Sequence, residues 1–450
     1  MSHVPATPES APAHDPYAAL RLRDFRYFLT GSFVAWMGLQ MQTVAVAWEV
    51  KHRVSDEQAP LMLGLVGLAQ VVPVLALALP AGHTADRFDR RKILLCAETL
   101  LMCCSIGLAL LAWQHGPLVL IYATLFLVGI GRAFQGPAKS ALMPRIVPRE
   151  IFSNAVTWNS SGFQLAAVLG PGLGGLAIWL LGSRTAPVLA FDAFTTSIFI
   201  VSLLLMRAQT ITAAQPAKAA PTLHDLAAGF AFVRRNGIIF ASITLDMFAV
   251  LLGGAVSLLS IYADDILKVG SQGFGWLYAA PAIGALAMSM VIAHRPPMQR
   301  AGRSLLWAVA GFGAATIVFG LSPWFWLSMA MLFLTGAFDN ISVVVRHTLV
   351  QTLTPDAMRG RVSAVNGMFI SASNELGAFE SGLVAWLFSR VGDPKFGPTM
   401  SVVLGGVGTL VVVAIVAVIW PQLRRFGALD GGHDVNPVAS SAEEDVSTPV

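Results

Sequence analysis

The apolar residues of this chain fall into blocks of about twenty, separated by short loops. A helix rising ~1.5 Å per residue covers the ~30 Å hydrocarbon core of a bilayer with a block of that length. The blocks lie near 28–50, 61–82, 93–113, 117–138, 155–181, 186–206, 238–262, 274–294, 304–321, 324–345, 363–388 and 399–420. They leave little sequence for anything else. Only 12% of the 450 residues are charged and 55% are apolar, whereas soluble proteins carry roughly 25% charged residues. The first block holds Gln40, Gln42 and Glu49 and is followed by no small-residue cleavage site, so it is expected to stay attached and cross the membrane.

The formal net charge of +4 does not point to nucleic acid, because the basic residues sit in short loops beside apolar spans. Of the 29 Lys and Arg, 22 fall on one side of the alternating spans, among them Arg87, Arg90, Lys139, Arg346 and Arg361. Six fall on the other, Lys51, Arg53, Arg184, Lys268, Arg390 and Lys395, and Arg132 lies inside a span. By the positive-inside rule the richer side is cytoplasmic, which places both termini inside and requires an even number of spans. The three cysteines, Cys96, Cys103 and Cys104, all lie in the third span without ligand-spaced partners and read as small buried packing residues.

The segment 207–237 divides the spans six and six. With its Ala-Pro stretch and a short amphipathic pattern from Leu223 to Phe232, it reads as a cytoplasmic linker. The expected organisation is a disordered segment 1–20, a helical bundle 21–206, the linker 207–237, a second bundle 238–425 and a disordered polar tail 426–450. An internal repeat supports the division. A shift of 207 residues lays Gly129 on Gly336, Leu142 on Leu349, Pro148 on Pro355, Asn159 on Asn366, Gly175 on Gly382 and Trp179 on Trp386 without a gap. Parallel repeats of this kind place a substrate between two halves near the bilayer midplane.

The loop after the second span reads Gly82-His83-Thr84-Ala85-Asp86-Arg87-Phe88-Asp89-Arg90-Arg91-Lys92. It resembles the G-x-L-a-D-R-x-G-R-K pattern of the major facilitator superfamily, with Thr84 at the usual Leu and Asp89 at the second Gly. The resemblance implies an all-α membrane protein of twelve transmembrane helices in two pseudo-symmetric six-helix bundles. It also implies a latch at Gly82, Asp86, Arg87 and Arg90, in which helix dipoles and opposite charges hold one conformation. Arg132-Ala133-Phe134-Gln135-Gly136 in the fourth span resembles the R-x-x-Q-G motif of proton-driven members. An arginine there is expensive in lipid and should find a partner inside the protein. The repeat lays Asp339 on Arg132, which suggests one electrostatic network. Gly170-Pro171-Gly172-Leu173-Gly174-Gly175 in the fifth span matches the G-P-x-x-G-G core of exporters in the superfamily, with Gly170, Pro171, Gly174 and Gly175 as a close-packing face. Leu22 to Arg26, Pro144 to Glu150 and Gly360 to Val362 look like the branch that contains enterobactin exporters and macrolide-efflux proteins.

Other intramembrane ionisable groups are Glu98, Asp192, Asp246, Glu375 and Glu380. Arg132, Asp246, Asp339 and Glu375 are the candidates for coupling, Asp192 is expected to serve a structural hydrogen bond, and Glu49, Asp264 and Asp265 are expected to be solvated. Trp36, Gln40, Gln164 and Asn366 are candidates to line the substrate cavity. No Walker-type phosphate loop, metal-ligand cluster or nucleophile elbow is visible, so no enzymatic step and no cofactor is expected. The expected function is a proton-coupled exporter, an antiporter of drugs or siderophores, in the cell inner membrane. Its partners would be a small-molecule substrate, protons and the lipid bilayer, with no nucleic acid, and it would act as a monomer. An importer, a lipid flippase or a non-transporting sensor on the same scaffold is the alternative.

Overall fold

The computed structural model describes residues 15–207, 223–295, 298–355, 358–390 and 395–427. The expectations of disorder therefore fall outside the described residues over 1–14 and 428–450, as does 208–222 of the linker, whereas Ala19 and Leu20, expected to be disordered, lie in a 3-10 turn with Ala19 buried. The long helices are α1 (Arg23–His52), α2 (Ala59–Arg87), α3 (Arg90–Trp113), α4 (Leu118–Ile146), α5 (Phe152–Leu180) and α6 (Ala186–Leu205). After the linker helix α7 (Leu223–Arg235) come α8 (Gly237–Leu252), the short α9 (Leu259–Ile261), α10 (Gly270–Ala293), α11 (Ala301–Leu321), α12 (Phe325–Leu353), α13 (Arg359–Ser389), α14 (Phe396–Ile419) and the short α15 (Pro421–Arg425).

Ten helical segments among the described residues are long and apolar enough to cross a membrane. The twelve expected from the sequence include two more, α1 and α13, which have the length at 30 and 31 residues. Their composition sets them apart. Gln40 and Gln42 lower the hydropathy midway along α1, while Asn366, Asn374, Glu375 and Glu380 interrupt α13.

The seventh span departs from a continuous helix. After Leu252 the chain breaks at Gly253-Gly254, continues as a 3-10 turn (Ala255–Leu258) and α9, and ends in a π-helical turn, Tyr262–Ile266. The glycines explain the break: a Cβ on Gly254 would lie 2.3 Å from the Gly377 carbonyl, and one on Gly253 would lie 2.6 Å from Phe312. No other residue lets α13 approach this backbone so closely.

In the first half of the chain α1 packs on α5 and α6, α2 on α4, and α3 on α4 and α6. In the second, α10 packs on α12, α11 on α12 and α14, and α13 on α8 and α14. Both described termini meet the same end of the protein. Pro16 accepts hydrogen bonds from Asn154 and Trp158 at the start of α5, and Gly427 accepts one from the Ala301 amide at the start of α11. This is the near end; the α1–α2 turn lies at the far end.

Contacts between the halves concentrate toward the far end, where α5 meets α10 and α2 meets α13. A Cβ on Gly175 would lie 2.4 Å from the Ser271 carbonyl, and one on Gly275 would lie 2.5 Å from the Pro171 carbonyl. The repeat reproduces this on the other side: a Cβ on Gly382 would lie 2.4 Å from the Pro60 carbonyl, and one on Gly64 would lie 3.1 Å from that of Ala378. Toward the near end, Gly136 on α4 and Gly367 on α13 face open space. The far end is thus shut by backbones in contact, and the near end is not.

Candidate functional site

In the first half, α1, α3, α4 and α6 frame a narrow polar pocket lined by Trp36, Gln42, Glu98, Ser105, Arg132, Gln135, Lys139 and Asp192. Gln135 Nε2 donates to Glu98 Oε1 at 2.8 Å. Asp192 Oδ2 accepts from Ser105 Oγ at 2.6 Å and from Gln42 Nε2 at 3.0 Å. Lys139, placed in a cytoplasmic loop by the charge count, is instead inside the protein because α4 runs on to Ile146. Its ammonium lies 3.8 Å from the Trp36 ring centre and 5.0 Å from that of Phe199, where the negative ring faces offset its desolvation. Glu98 is its nearby counter-charge.

A second, smaller cavity lies between α8, α11 and α12 and is lined by Asp246, Val250, Val309, Phe312, Phe338, Asp339 and Ser342. Arg346, likewise expected in a loop, is buried because α12 continues to Leu353, and its guanidinium forms an ion pair with Asp246. The two side chains are only 2% and 7% exposed. Asp246 is therefore already neutralised by a neighbour.

The two cavities are counterparts in the repeat. The 207-residue shift lays Arg132 on Asp339, Gln135 on Ser342 and Lys139 on Arg346, while a shift of 211 lays Ala35 on Asp246, Leu39 on Val250 and Glu98 on Val309. Each half therefore buries a cation at the same place on its fourth helix but draws the balancing acid from a different helix. Arg132 and Asp339 share depth and do not share a cavity. The groups within electrostatic reach of Arg132 are Glu375, Asp192 and Tyr278.

Glu375 on α13 faces α2, where a Cβ on Gly67 would lie 2.6 Å from its Oε2. The four cavity candidates are not gathered into one pocket. Trp36 lines the first cavity and meets Phe163 edge-on at 5.4 Å between ring centres. Gln40 packs against α5, where a Cβ on Gly170 would lie 2.5 Å from its own Cβ. Gln164 is half-buried on α5, and Asn366 is buried on α13 with no hydrogen bond to its Oδ1 among the described residues.

At the near end Gly82 and Asp86 lie on α2, Arg87 is its exposed last residue and Arg90 is the buried first residue of α3. The Asp86 side chain lies outside the described atoms. Asp89, which replaces the expected glycine, caps α3 by accepting from the Arg91 amide at 2.9 Å. At the far end the acids expected to be solvated are paired. Lys51 bonds Asp264 and, at 3.0 Å, Asp265; His52 Nε2 lies 3.2 Å from Asp264. Glu49 bonds Arg53 at 2.5 Å and also the Thr185 hydroxyl. Arg390 reaches Glu57 at 3.4 Å. Cys96 and Cys103, expected to be buried, are exposed on the helix surface, whereas Cys104 is buried.

Comparison with known proteins matches this architecture. The chain is 27% identical over 407 residues to the enterobactin exporter EntS of Escherichia coli O1:K1, covering 89% of this chain and 93% of the relative. The same figures hold for the enterobactin exporter EntS of Shigella boydii. Among solved structures, a bacterial homologue of the human lysosomal transporter Spinster in an inward-facing, unoccupied conformation superposes with a TM-score of 0.66 at 14% identity, covering 89% of this chain and 97% of that one. A bacterial homologue of the iron transporter ferroportin in an inward-facing state gives 0.66 at 13% identity over 87% and 99%. The family model described as transmembrane secretion effector matches residues 14–434. The chain therefore belongs to the transmembrane secretion effector family of the major facilitator superfamily and is a multi-pass membrane transporter.

Proposed function

We propose that this protein is a secondary active exporter of small organic molecules, with drugs and siderophores as the substrate class, which moves substrate out as protons enter. The observation that carries alternating access is the paired closure of the far end, Gly175 against α10 and Gly382 against α2, with open space at Gly136 and Gly367 toward the near end. Two repeat-related seams shut at one end while the other is open suit a cavity exposed to one side at a time. In this reading α1 and α13 complete twelve spans in two bundles. The near end is cytoplasmic, because it holds most of the loop Lys and Arg, and the membrane is the inner membrane. Export rather than import follows the likeness to enterobactin exporters and the Gly-Pro motif of α5.

Gly82, Asp86, Arg87 and Arg90 act as the near-end latch when that end closes. Arg132 and Glu375 couple the halves across the centre, and Trp36, Gln40, Gln164 and Asn366 meet substrate as it passes. The protein works as a monomer and needs no cofactor. The test is uptake of enterobactin and of ethidium into inverted vesicles with an imposed pH gradient, alongside intracellular siderophore retention in a deletion strain. Gradient-driven accumulation in the vesicles and retention in the strain are expected. Uptake in the reverse sense would make the protein an importer. Lipid scrambling without solute flux would make it a flippase, and no flux of either kind a sensor.

A further inference from the structure

The proton-coupled reading does not say where the proton sits, and the two repeat-related cavities separate the candidates. In the first cavity each buried charge has company: Glu98 has Gln135 and Lys139, Asp192 has Gln42 and Ser105, and Arg132 has Asp192 and Glu375. In the second, Arg346 is committed to Asp246. Asp339, lining the same cavity, has no hydrogen bond or ion pair among the described residues. One turn further along α12, on the same face, Ser342 Oγ is buried and also lacks a hydrogen-bond partner.

We infer that the cavity between α8, α11 and α12 is the coupling-proton site, with Asp339 as the carboxyl that takes and gives up the proton and Ser342 as the hydroxyl that bonds it. The inference rests on the proton-coupled reading and places that chemistry on a named group. A carboxylate without a cation or donor in an apolar wall of Val309, Phe312 and Phe338 is costly, and a proton is the counter-ion that removes the cost. The proton comes from bulk water as H⁺, forms one O–H bond on Asp339 and leaves as H⁺, so no co-reactant is needed. The titratable and charged groups around the site are few. Helix α8 brings Asp246, α12 itself brings Arg346 and its neighbour His347, and α10 and α11, which also pack on α12, bring none to the wall. Asp246 cannot easily serve in place of Asp339, since protonating it would strand Arg346.

The repeat explains why the site is asymmetric. Where Asp339 stands, the first half carries Arg132; where Asp246 stands, it carries Ala35. The second cavity therefore holds two acids for one cation, and the surplus negative charge is a single proton's worth.

The test uses purified full-length protein in nanodiscs, with infrared difference spectra of the carboxylic acid C=O stretch during a pH titration. Wild type should show a protonated-carboxyl band that disappears on deprotonation and belongs to Asp339. Asp339→Asn should lack it, Asp339→Glu should shift it, Ser342→Ala should move its frequency, and the paired change Asp246→Asn with Arg346→Gln should leave it in place. A titrating band that survives unchanged in both Asp339→Asn and Asp339→Glu would overturn the assignment. The titration needs no substrate. A pH gradient that fails to drive export in wild type, with the band intact, would instead sink the coupled-export reading and leave the proton site standing.

Discussion

Lys51 Nζ at the end of α1 lies 3.0 Å from Asp265 Oδ1 in the π-helical turn of the other half, and the same ammonium bonds Asp264. The lysine side chain is 6% exposed, and the two acids are 29% and 21% exposed. These charges belong to the two halves, so the bonds exist only while the far end is shut. The stacked Trp48 and Phe274 rings, 5.9 Å apart, cross the same seam one turn deeper.

Breaking this cluster should favour opening of the far end. Charge-assisted bonds of this kind contribute about 1.5–3 kcal/mol, and each 1.4 kcal/mol is a tenfold change in a population ratio. Lys51→Met is expected to raise labelling of far-end cysteines by roughly tenfold or more, and the exchange Lys51→Asp with Asp265→Lys to restore much of the closed population. Unchanged maleimide labelling in Lys51→Met would show that the cluster does not hold the end shut.

The glycine seams give opposite locks. Gly175→Leu and Gly382→Leu would push side chains into the Ser271 and Pro60 carbonyls, each 2.4 Å from the first added carbon. Both should disfavour the far-end-closed state. Gly136→Leu meets nothing here and should be accommodated in this state. We expect the first two to raise far-end accessibility and Gly136→Leu to leave it low, read by electron-electron distance distributions across each end. Equal behaviour of all three would count against the seam as the closing element.

Arg346 and Asp246 should behave as a unit. Removing one partner of a buried ion pair and stranding the other costs about 3–5 kcal/mol. Arg346→Gln alone should lower thermal stability and yield in detergent, and adding Asp246→Asn should recover most of the loss. Additive destabilisation in the double variant would show that the two charges do not compensate each other.

How much of this was readable in advance follows from what the residues report. Apolar block length carries the helices, since every backbone group in lipid must bond within its own helix, and the repeat carries the kinship of the two halves. Side-chain pairing did not come through. Lys139 and Arg346 looked like loop cations because hydropathy falls before the helix does, and α4 and α12 run well past both. Asp264 and Asp265 looked solvated because their partner Lys51 is more than two hundred positions away in sequence. The break at Gly253-Gly254 was hidden in an apolar run, where glycine leaves the hydropathy unchanged and only the approach of Gly377 gives it meaning.

The repeat also invites a pairing that the geometry redirects. Equivalent positions and opposite signs suggest that Arg132 and Asp339 balance each other, but symmetry about a central axis places them in separate cavities, each within its own bundle of helices. The acid from the second half that Arg132 feels is Glu375. Glu375 lies on α13 beside Gly67 of α2, on the seam that must part when the far end opens. Neutralising Arg132 alone leaves Glu375 without the cation within its reach, and neutralising both does not. In a double-mutant cycle on gradient-driven transport, normalised to protein level, Arg132→Gln with Glu375→Gln should therefore lose less than the sum of the single variants. Arg132→Gln with Asp339→Asn should be additive. Rescue in the Asp339 pair with additivity in the Glu375 pair would reverse the assignment and return the coupling to the symmetry-related charges.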